Sequence, residues 1–522
     1  MKIPSLLLAA LTLLLATPGW SADDHLSELE KRGKLVYKAG ESASGAPITA
    51  VVSRGATPIP ASILPCGGCH GDDGAGRPEG GVVPSDVSWN TLTASYGHKH
   101  SYGRSHPAYD ADSIAAAIIQ GVDPAGNELD MAMPRYAMSK DDMSALLAYL
   151  KRVATDYDPG VSEDTIRVGT LLPMEGDLAP MGIAMRAVIE ASFADINAGG
   201  GIHGRTLELV VTNYQDDPVR NLWAVRDLLQ QESVFAMVGS FTAGVTDQLS
   251  ELAEELEVPM VGPYTQAPRE GNGLERHSFY LASGVEQQAA VLVRHRVSRG
   301  DKIGIVHPAS EAFNSLVART RAELEKRTDA EIIALSYTPP YLDVVDVSQT
   351  MQSRDVDAIV FLGPAKELKR LANECLRQSY APDLMFPGVF AGQSLFEIES
   401  GFAGDVLIGY SSIPADHTPE GVTAFEALHA KHGFGYQYST AQISTFVAAE
   451  VLTEALKRAG RSLSREKLLL ALEGLADYQP GLLPPISYNR SRRIGAFGGY
   501  IMRLDLETKE LKQTSNWISL QL

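Results

Sequence analysis

The sequence predicts a multidomain chain in which an all-α unit at the N-terminus precedes a two-lobed α/β unit built on parallel sheets. Three observations carry this. Apolar positions at helical spacing close a front segment near residue 150, a polar stretch broken by Pro159-Gly160 follows, and short apolar runs then alternate with helical stretches twice over. At 522 residues the chain is long for one average domain and suggests roughly three folding units. Hydrophobic content of 44% is ample for packed cores, and a net charge of −19 repels nucleic-acid phosphates and disfavours anionic membranes. Basic partners suit that charge.

Residues 1–22 have the layout of a signal peptide: Lys2, the apolar run Leu6–Ala16, then small residues at Gly19, Ser21 and Ala22 for cleavage. The run is short for a bilayer span, and no later stretch reaches about 18 uninterrupted apolar residues, so no membrane insertion is expected. No cysteine stands at the cleavage point to take a lipid.

The first unit is expected over 23–153. It contains Cys66-Gly67-Gly68-Cys69-His70, the C-x-x-C-H spacing of a c-type haem attachment site. Two thiols so spaced each form a thioether to the porphyrin edge, the adjacent imidazole reaches the iron, and small glycines leave room for the ring. A disulfide, a redox C-x-x-C or half of a zinc site needs no histidine directly after the second cysteine. One covalent haem c is the expected cofactor, with Cys66 and Cys69 as attachment points and His70 as one axial ligand.

A second axial ligand is expected downstream, commonly a methionine thioether in electron-transfer haems. Met131, Met133, Met138 and Met143 are available, and His98, His100 and His106 offer imidazoles, though in a loop of Gly, Ser and Lys that reads as solvated. Ser139 with Asp142 suggests a capping box, and Met143, Leu146, Leu147 and Leu150 form one helical face. Met133-Pro134-Arg135-Tyr136, followed by that capped helix ending in Tyr149-Leu150, resembles the class I cytochromes c over roughly 55–153. The resemblance implies a methionine ligand directly before a proline, which is Met133, and attachment of the haem outside the bacterial cytoplasm. The periplasm is therefore the expected location.

Residues 154–164 read as a linker. Beyond it, strands are expected at 166–172, 207–212, 234–238 and 258–262, with helices at 181–197, 218–231 and 244–257 between them. A second series begins near 279, with strands at 302–306, 331–336 and 357–362 and helices near 286–299, 310–327 and 365–379. Such alternation means parallel sheets, whose ligands bind at the carboxyl ends of the strands. Cys375 shares helical spacing with Leu368, Leu371 and Ala372 and reads as a buried packing thiol.

Ile166-Arg167-Val168-Gly169 through Gly176, Phe193-Ala194-Asp195 followed by Ile202-His203-Gly204, Tyr214-Gln215-Asp216-Asp217-Pro218 and Val261-Gly262-Pro263 occur in order. Together they resemble the type I periplasmic binding proteins of the branched-chain amino-acid family, over roughly 165–515. The resemblance implies two Rossmann-like lobes closing over a small molecule. It further implies a ligand carboxylate held by a Ser-rich turn and by a Thr in the next strand-end loop, with an acid taking the ammonium. Here those positions fall on Thr242, Ala243, Tyr264, Thr265, Gln266 and Glu286, so Ala243 and Gln266 replace the expected hydroxyls and Met181 a pocket aromatic. Free N–H groups at Thr242, Ala243 and Gly244 could still receive an anion at a helix start. Tyr264 and Phe390 could supply apolar walls. An aromatic, amide or alcohol-derived ligand suits these departures as well as an amino acid does.

No catalytic constellation stands out, and the Gly-rich stretches at 199–204 and 492–499 lack a following Lys-Ser/Thr. The Glu251–Glu257 run reads as a solvated helix face. The expected function is therefore non-enzymatic: either a redox-active binding protein working with a periplasmic redox partner, or a solute receptor for an ABC transporter permease whose haem is an accessory sensor.

Overall fold

In the computed structural model, which describes residues 26–52, 57–76, 83–100, 103–270, 275–297, 301–325 and 332–520, the chain divides into two units, Met1–Tyr157 and Asp158–Leu522. The expected signal peptide lies outside the described residues.

The first unit is built on two crossing helices. Glu28–Ala39 begins at Ser27, whose hydroxyl accepts from the Glu30 N–H while the Glu30 carboxylate accepts from the Ser27 N–H, and ends at Gly40 in the left-handed conformation. Lys140–Leu150 begins at Ser139, whose side chain accepts from the Asp142 N–H at 3.0 Å. Asp142 does not complete the expected box; its carboxylate instead accepts from the hydroxyls of Ser139 and Ser42. The helices meet at Gly33, where a Cβ would lie 2.0 Å from the Ala145 carbonyl oxygen. Val36, Tyr37, Leu146, Tyr149 and Leu150 fill the seam and continue into a core with Ile48, Ile114, Ile118 and Tyr136. Met143 and Leu146 are core residues, as their spacing predicts.

Short β elements join these helices. Thr49–Val51 lies between Ile59–Pro60 and Arg135–Ala137 in an antiparallel sheet, and His98–Lys99 pairs with Ser105–His106 as a hairpin.

The second unit holds two sheets. In the first, the strands run Thr206–Asn213, Thr165–Leu172, Ala236–Val238, Met260–Val261, Ser278–Ala282, Ile494–Ala496, all parallel. In the second, Ile332–Tyr337, Ile303–Pro308, Ala358–Phe361, Asp383–Pro387 and Val406–Tyr410 are parallel, and Gly498–Leu504 and Leu511–Gln513 continue the sheet antiparallel. In each sheet the opening strand sits between the second and third. Strand order reverses there, the point beyond whose strand ends ligands of open α/β sheets bind.

The chain passes between sheets after Ala282, after Tyr410 and again between Ala496 and Gly498. After the second passage, the helix Ser439–Ala459 returns to pack on Ala179–Ala198. Cys375 is fully buried and accepts a hydrogen bond from Ser348, which agrees with a packing role. In the Glu251–Glu257 run, Glu251, Glu255 and Glu257 are exposed as a solvated face requires, and Glu254 departs from that reading. Glu254 turns inward, and its carboxylate accepts from the backbone of Arg276 and His277 and bonds the His277 ring at 2.7 Å.

Candidate functional site

A cavity of about 580 Å³ opens in the first unit, within the usual range for pockets that hold small molecules and cofactors, about 300–1,000 Å³. The short helix Cys66–His70 supplies Cys66, Cys69 and His70 to its lining. Spacing of i and i+3 puts the two thiols on one side of that helix. Neither thiol is in a disulfide. Burial pushes the Cys66 thiol up to about 12. His70 Nδ1 lies 2.8 Å from the Ser85 carbonyl oxygen, which accepts only, so Nδ1 carries the proton and Nε2 keeps its lone pair. Burial lowers the His70 pKa and favours the neutral ring.

Of the four candidate methionines, Met133 is on the lining; Met131 is 43% exposed, Met138 packs against the core, and Met143 is buried within it. Two neighbours fix the Met133 segment. Arg135 donates to the carbonyls of Met133 and of Leu129, the latter at 2.8 Å. Its guanidinium fills the space that a Cβ at Gly121 would take, and Gly121 has φ +71. Tyr136 donates to the Leu64 carbonyl at 2.6 Å, tying this segment to the residues just before Cys66. The donor set therefore fits a covalently held porphyrin: two thiols on one helical turn, an anchored imidazole, a thioether and mostly apolar walls including Leu64, Val87, Ile114 and Leu129.

Sequence reasoning left His98, His100 and His106 in a solvated loop. The structure puts all three on this lining, with His106 buried at 8% exposure. Pairing of His98 with His106 across the hairpin draws them in, and alternation over so few residues gave no signal of it.

A second assembly forms at the carboxyl edge of the first sheet in the second unit. Phe241 pairs with Tyr264 as a parallel bridge, so Thr242, Ala243, Tyr264 and Thr265 come together at the strand ends. The Thr242 N–H donates to the Tyr264 carbonyl at 3.1 Å and is not free for a ligand, contrary to the expectation for that group. The hydroxyls of Thr242, Thr246 and Thr265 form a chain at 3.2 and 2.7 Å, and Thr265 also accepts from the Ala267 N–H. Gln266 is exposed, and its carbonyl accepts from the Val285 N–H at 2.9 Å, which brings that loop to the start of the helix Val285–Val297 where Glu286 sits, half-buried. Phe390 instead packs against the core of the second lobe.

Around this edge Met174, Met181, Tyr214, Ala243 and Tyr264 are half-buried over Leu172, Met185 and Phe241. Tyr214 meets Phe241 edge-on at 4.8 Å and donates to the Ala243 carbonyl. Sequence spacing did not single out Met174 or Phe241; both follow strands, where periodicity stops.

A family model described as cytochrome c matches residues 62–154, and one described as periplasmic binding protein matches residues 165–510. The Leu/Ile/Val-binding protein BraC3 of Rhizobium johnstonii is 22% identical over 310 residues, covering 59% of this chain and 83% of that protein. The Leu/Ile/Val-binding protein of Escherichia coli K12 is 24% identical over 263 residues, covering 49% and 71%. Among solved structures, a branched chain amino acid ABC transporter from Thermus thermophilus with bound valine aligns with a TM-score of 0.53 at 17% identity, covering 68% of this chain and 97% of that one. A fatty acid ABC transporter substrate-binding protein from Thermomonospora curvata aligns with a TM-score of 0.52 at 18% identity, covering 70% and 95%. At these identities the structural likeness shows the two-lobed fold. With both family matches in place, the chain belongs to the periplasmic binding protein family and carries, ahead of its solute-binding module, a cytochrome c domain with the covalent haem that such a domain implies.

Proposed function

We propose that this protein is a periplasmic electron-transfer protein whose single haem c is fused to a receptor for a small organic solute, and that it is not an enzyme. The convergence of Cys66, Cys69, His70 and Met133 on one cavity supports the redox half of this reading most directly. Cys66 and Cys69 would hold the porphyrin by thioethers, and His70 Nε2 and Met133 Sδ would ligate its iron. When bound, the haem accepts and releases one electron; the chain's own residues orient and enclose it. Ser85 keeps the His70 ring in one tautomer, Arg135 and Tyr136 hold the Met133 backbone, and the apolar walls exclude water, which favours the less charged state. A periplasmic redox protein is the partner.

The solute binds between the lobes at the carboxyl edge described above. The hydroxyls of Thr242, Thr246 and Thr265 already bond one another, and the surface they leave consists of Met174, Met181, Tyr214 and Tyr264. An uncharged, largely apolar solute, aromatic or alcohol- or amide-derived, suits this edge better than a free α-amino acid, whose carboxylate would lose several kcal/mol if buried unpaired. The relatives named as Leu/Ile/Val-binding proteins keep a second reading alive, in which the rear module delivers cargo to an ABC transporter permease and the haem acts as a sensor.

Production of the full chain with and without the c-type maturation machinery tests the redox half: covalent haem absorbance with a low-spin spectrum is expected, and colourless protein overturns it. Thermal-shift titration of the same protein with leucine, benzyl alcohol and benzamide tests the solute half, because a native-state binder raises the melting point by about RT ln(1 + [L]/Kd). A response to leucine alone returns the module to the amino-acid class. Solute uptake lost on gene deletion supports the transporter reading.

A further inference from the structure

Among the described residues, five polar groups crowd the side of the haem cavity formed by the strand pair 98–99 and 105–106. Arg104 donates to Asp123 at 3.0 Å, and Asp123 is fully buried, so the guanidinium charge is neutralised locally. The other Arg104 nitrogen lies 2.8 Å from His100 Nε2. A guanidinium only donates, which leaves His100 Nε2 without a proton. His106 Nδ1 lies 2.8 Å from the Pro107 carbonyl oxygen, an acceptor only, so that nitrogen holds a proton. His106 Nε2 then faces His100 Nε2 at 3.1 Å. With a neutral His106, its Nε2 faces a nitrogen whose single lone pair already accepts from Arg104, so neither ring nitrogen donates across that gap. One added proton on His106 Nε2 supplies a donor that shares the His100 acceptor with Arg104.

Among the described residues, other groups around the pair do not supply this proton. His98 meets His100 edge-on at 4.4 Å and stacks on His106 at 6.1 Å, and Tyr109 meets His106 edge-on at 4.8 Å. Asp123 is committed to Arg104, Asn127 and the backbone of Ala125. Asp86, Asp130 and His70 are the remaining titratable side chains on the lining, apart from the thiols and Tyr37 and Tyr136. A metal ion is a poor tenant for the gap because the guanidinium already occupies its approach. Burial, followed by the charge of Arg104 and the neighbouring imidazoles, drops His100 to about 4 and keeps it an acceptor.

We propose that the His100–His106 pair is a redox-linked proton site, with His106 Nε2 taking up one solvent proton when the haem in the same cavity is reduced. This rests on the haem reading above. The exchange balances: one electron enters from a one-electron donor, one proton enters from water onto the His106 lone pair, and the net charge of the cavity is unchanged. Oxidation returns both. A group that binds its proton more tightly in the reduced state makes the midpoint potential fall as pH rises, toward a limit of about 59 mV for each tenfold change in proton activity in a one-electron couple.

The test is the midpoint potential of the full-length holoprotein from pH 5 to 9, for the native chain, His106→Gln and His100→Asn, with His98→Gln as a control. A slope in the native chain that vanishes in the first two variants and survives in the third supports the site. A flat native profile, or a slope retained in His106→Gln, overturns it. Nitrogen-15 NMR of the histidine rings in the native holoprotein gives a reading independent of variant folding: a new Nε2–H on His106 upon reduction is expected, and an unchanged ring overturns the proposal. Protein that takes up no haem counts against the haem reading instead.

Discussion

Tyr136 sits where two requirements of the first unit meet. Its ring is buried in the core, and its hydroxyl reaches the Leu64 carbonyl 72 residues earlier. Burial pushes its pKa upward, so it stays a donor at any physiological pH. Tyr136→Phe is expected to cost about 1 kcal/mol in guanidinium unfolding of the holoprotein followed at the haem band. Glu450 raises a different issue. One of its carboxylate oxygens is buried without a hydrogen-bond partner among the described residues, and burial raises the group to about 7. A folded-state value above the unfolded one means that the folded state holds the extra proton between the two. Stability contributed by that proton is full at low pH and is lost as pH rises from about 4.5 toward 7, at most on the order of 3 kcal/mol. Glu450→Gln is expected to flatten the melting temperature of the second unit over that window and to raise it most at pH 8. Met133 as a residue of the cavity lining was legible because a methionine before a proline is a local pattern. Arg135 as its anchor was not, because the space it fills at Gly121 belongs to another segment.

The helix crossing at Gly33 shows packing overruling propensity. Alanine in a helix interior gains up to about 1 kcal/mol over glycine, but at Gly33 the added carbon would sit 2.0 Å from a backbone oxygen of the partner helix. Gly33→Ala is therefore expected to lower stability by about 1–3 kcal/mol, measured by chemical unfolding of the holoprotein, whereas Gly45→Ala, where nothing lies within 4 Å but φ is +75, costs strain alone. Loss of the cap in Ser139→Ala is expected to cost about 1 kcal/mol. Strands 165–172, 206–213 and 303–308 and their helices were readable because long apolar runs carry a period. The strand pairs 98–99 with 105–106 and 49–51 with 135–137 were not, since two or three residues have none and their pairing is set by tertiary contacts. Glu254 read as solvated for the same reason: its partner His277 lies 23 residues on.

At the level of the entire chain, both a solute trap and a haem were legible, because one depends on ordered motifs and the other on a fixed spacing. What binds in the trap was less so, since the strand-end loops owe their shape to pairing such as Phe241 with Tyr264. Coupling between the two is a direct measurement. If solute binding alters haem exposure or docking, the midpoint potential shifts when solute is added; equal values show that the modules work independently.

The passage between Ala496 and Gly498 leaves a single residue, Phe497, between a strand of one sheet and a strand of the other. Both lobes thus take a strand from the closing segment 494–504. A nascent chain emerging amino end first presents its cysteine pair long before that segment exists. Pigment attachment can precede assembly of the trap, and a premature stop after residue 157 and before residue 494 should yield coloured protein with no grip on its solute.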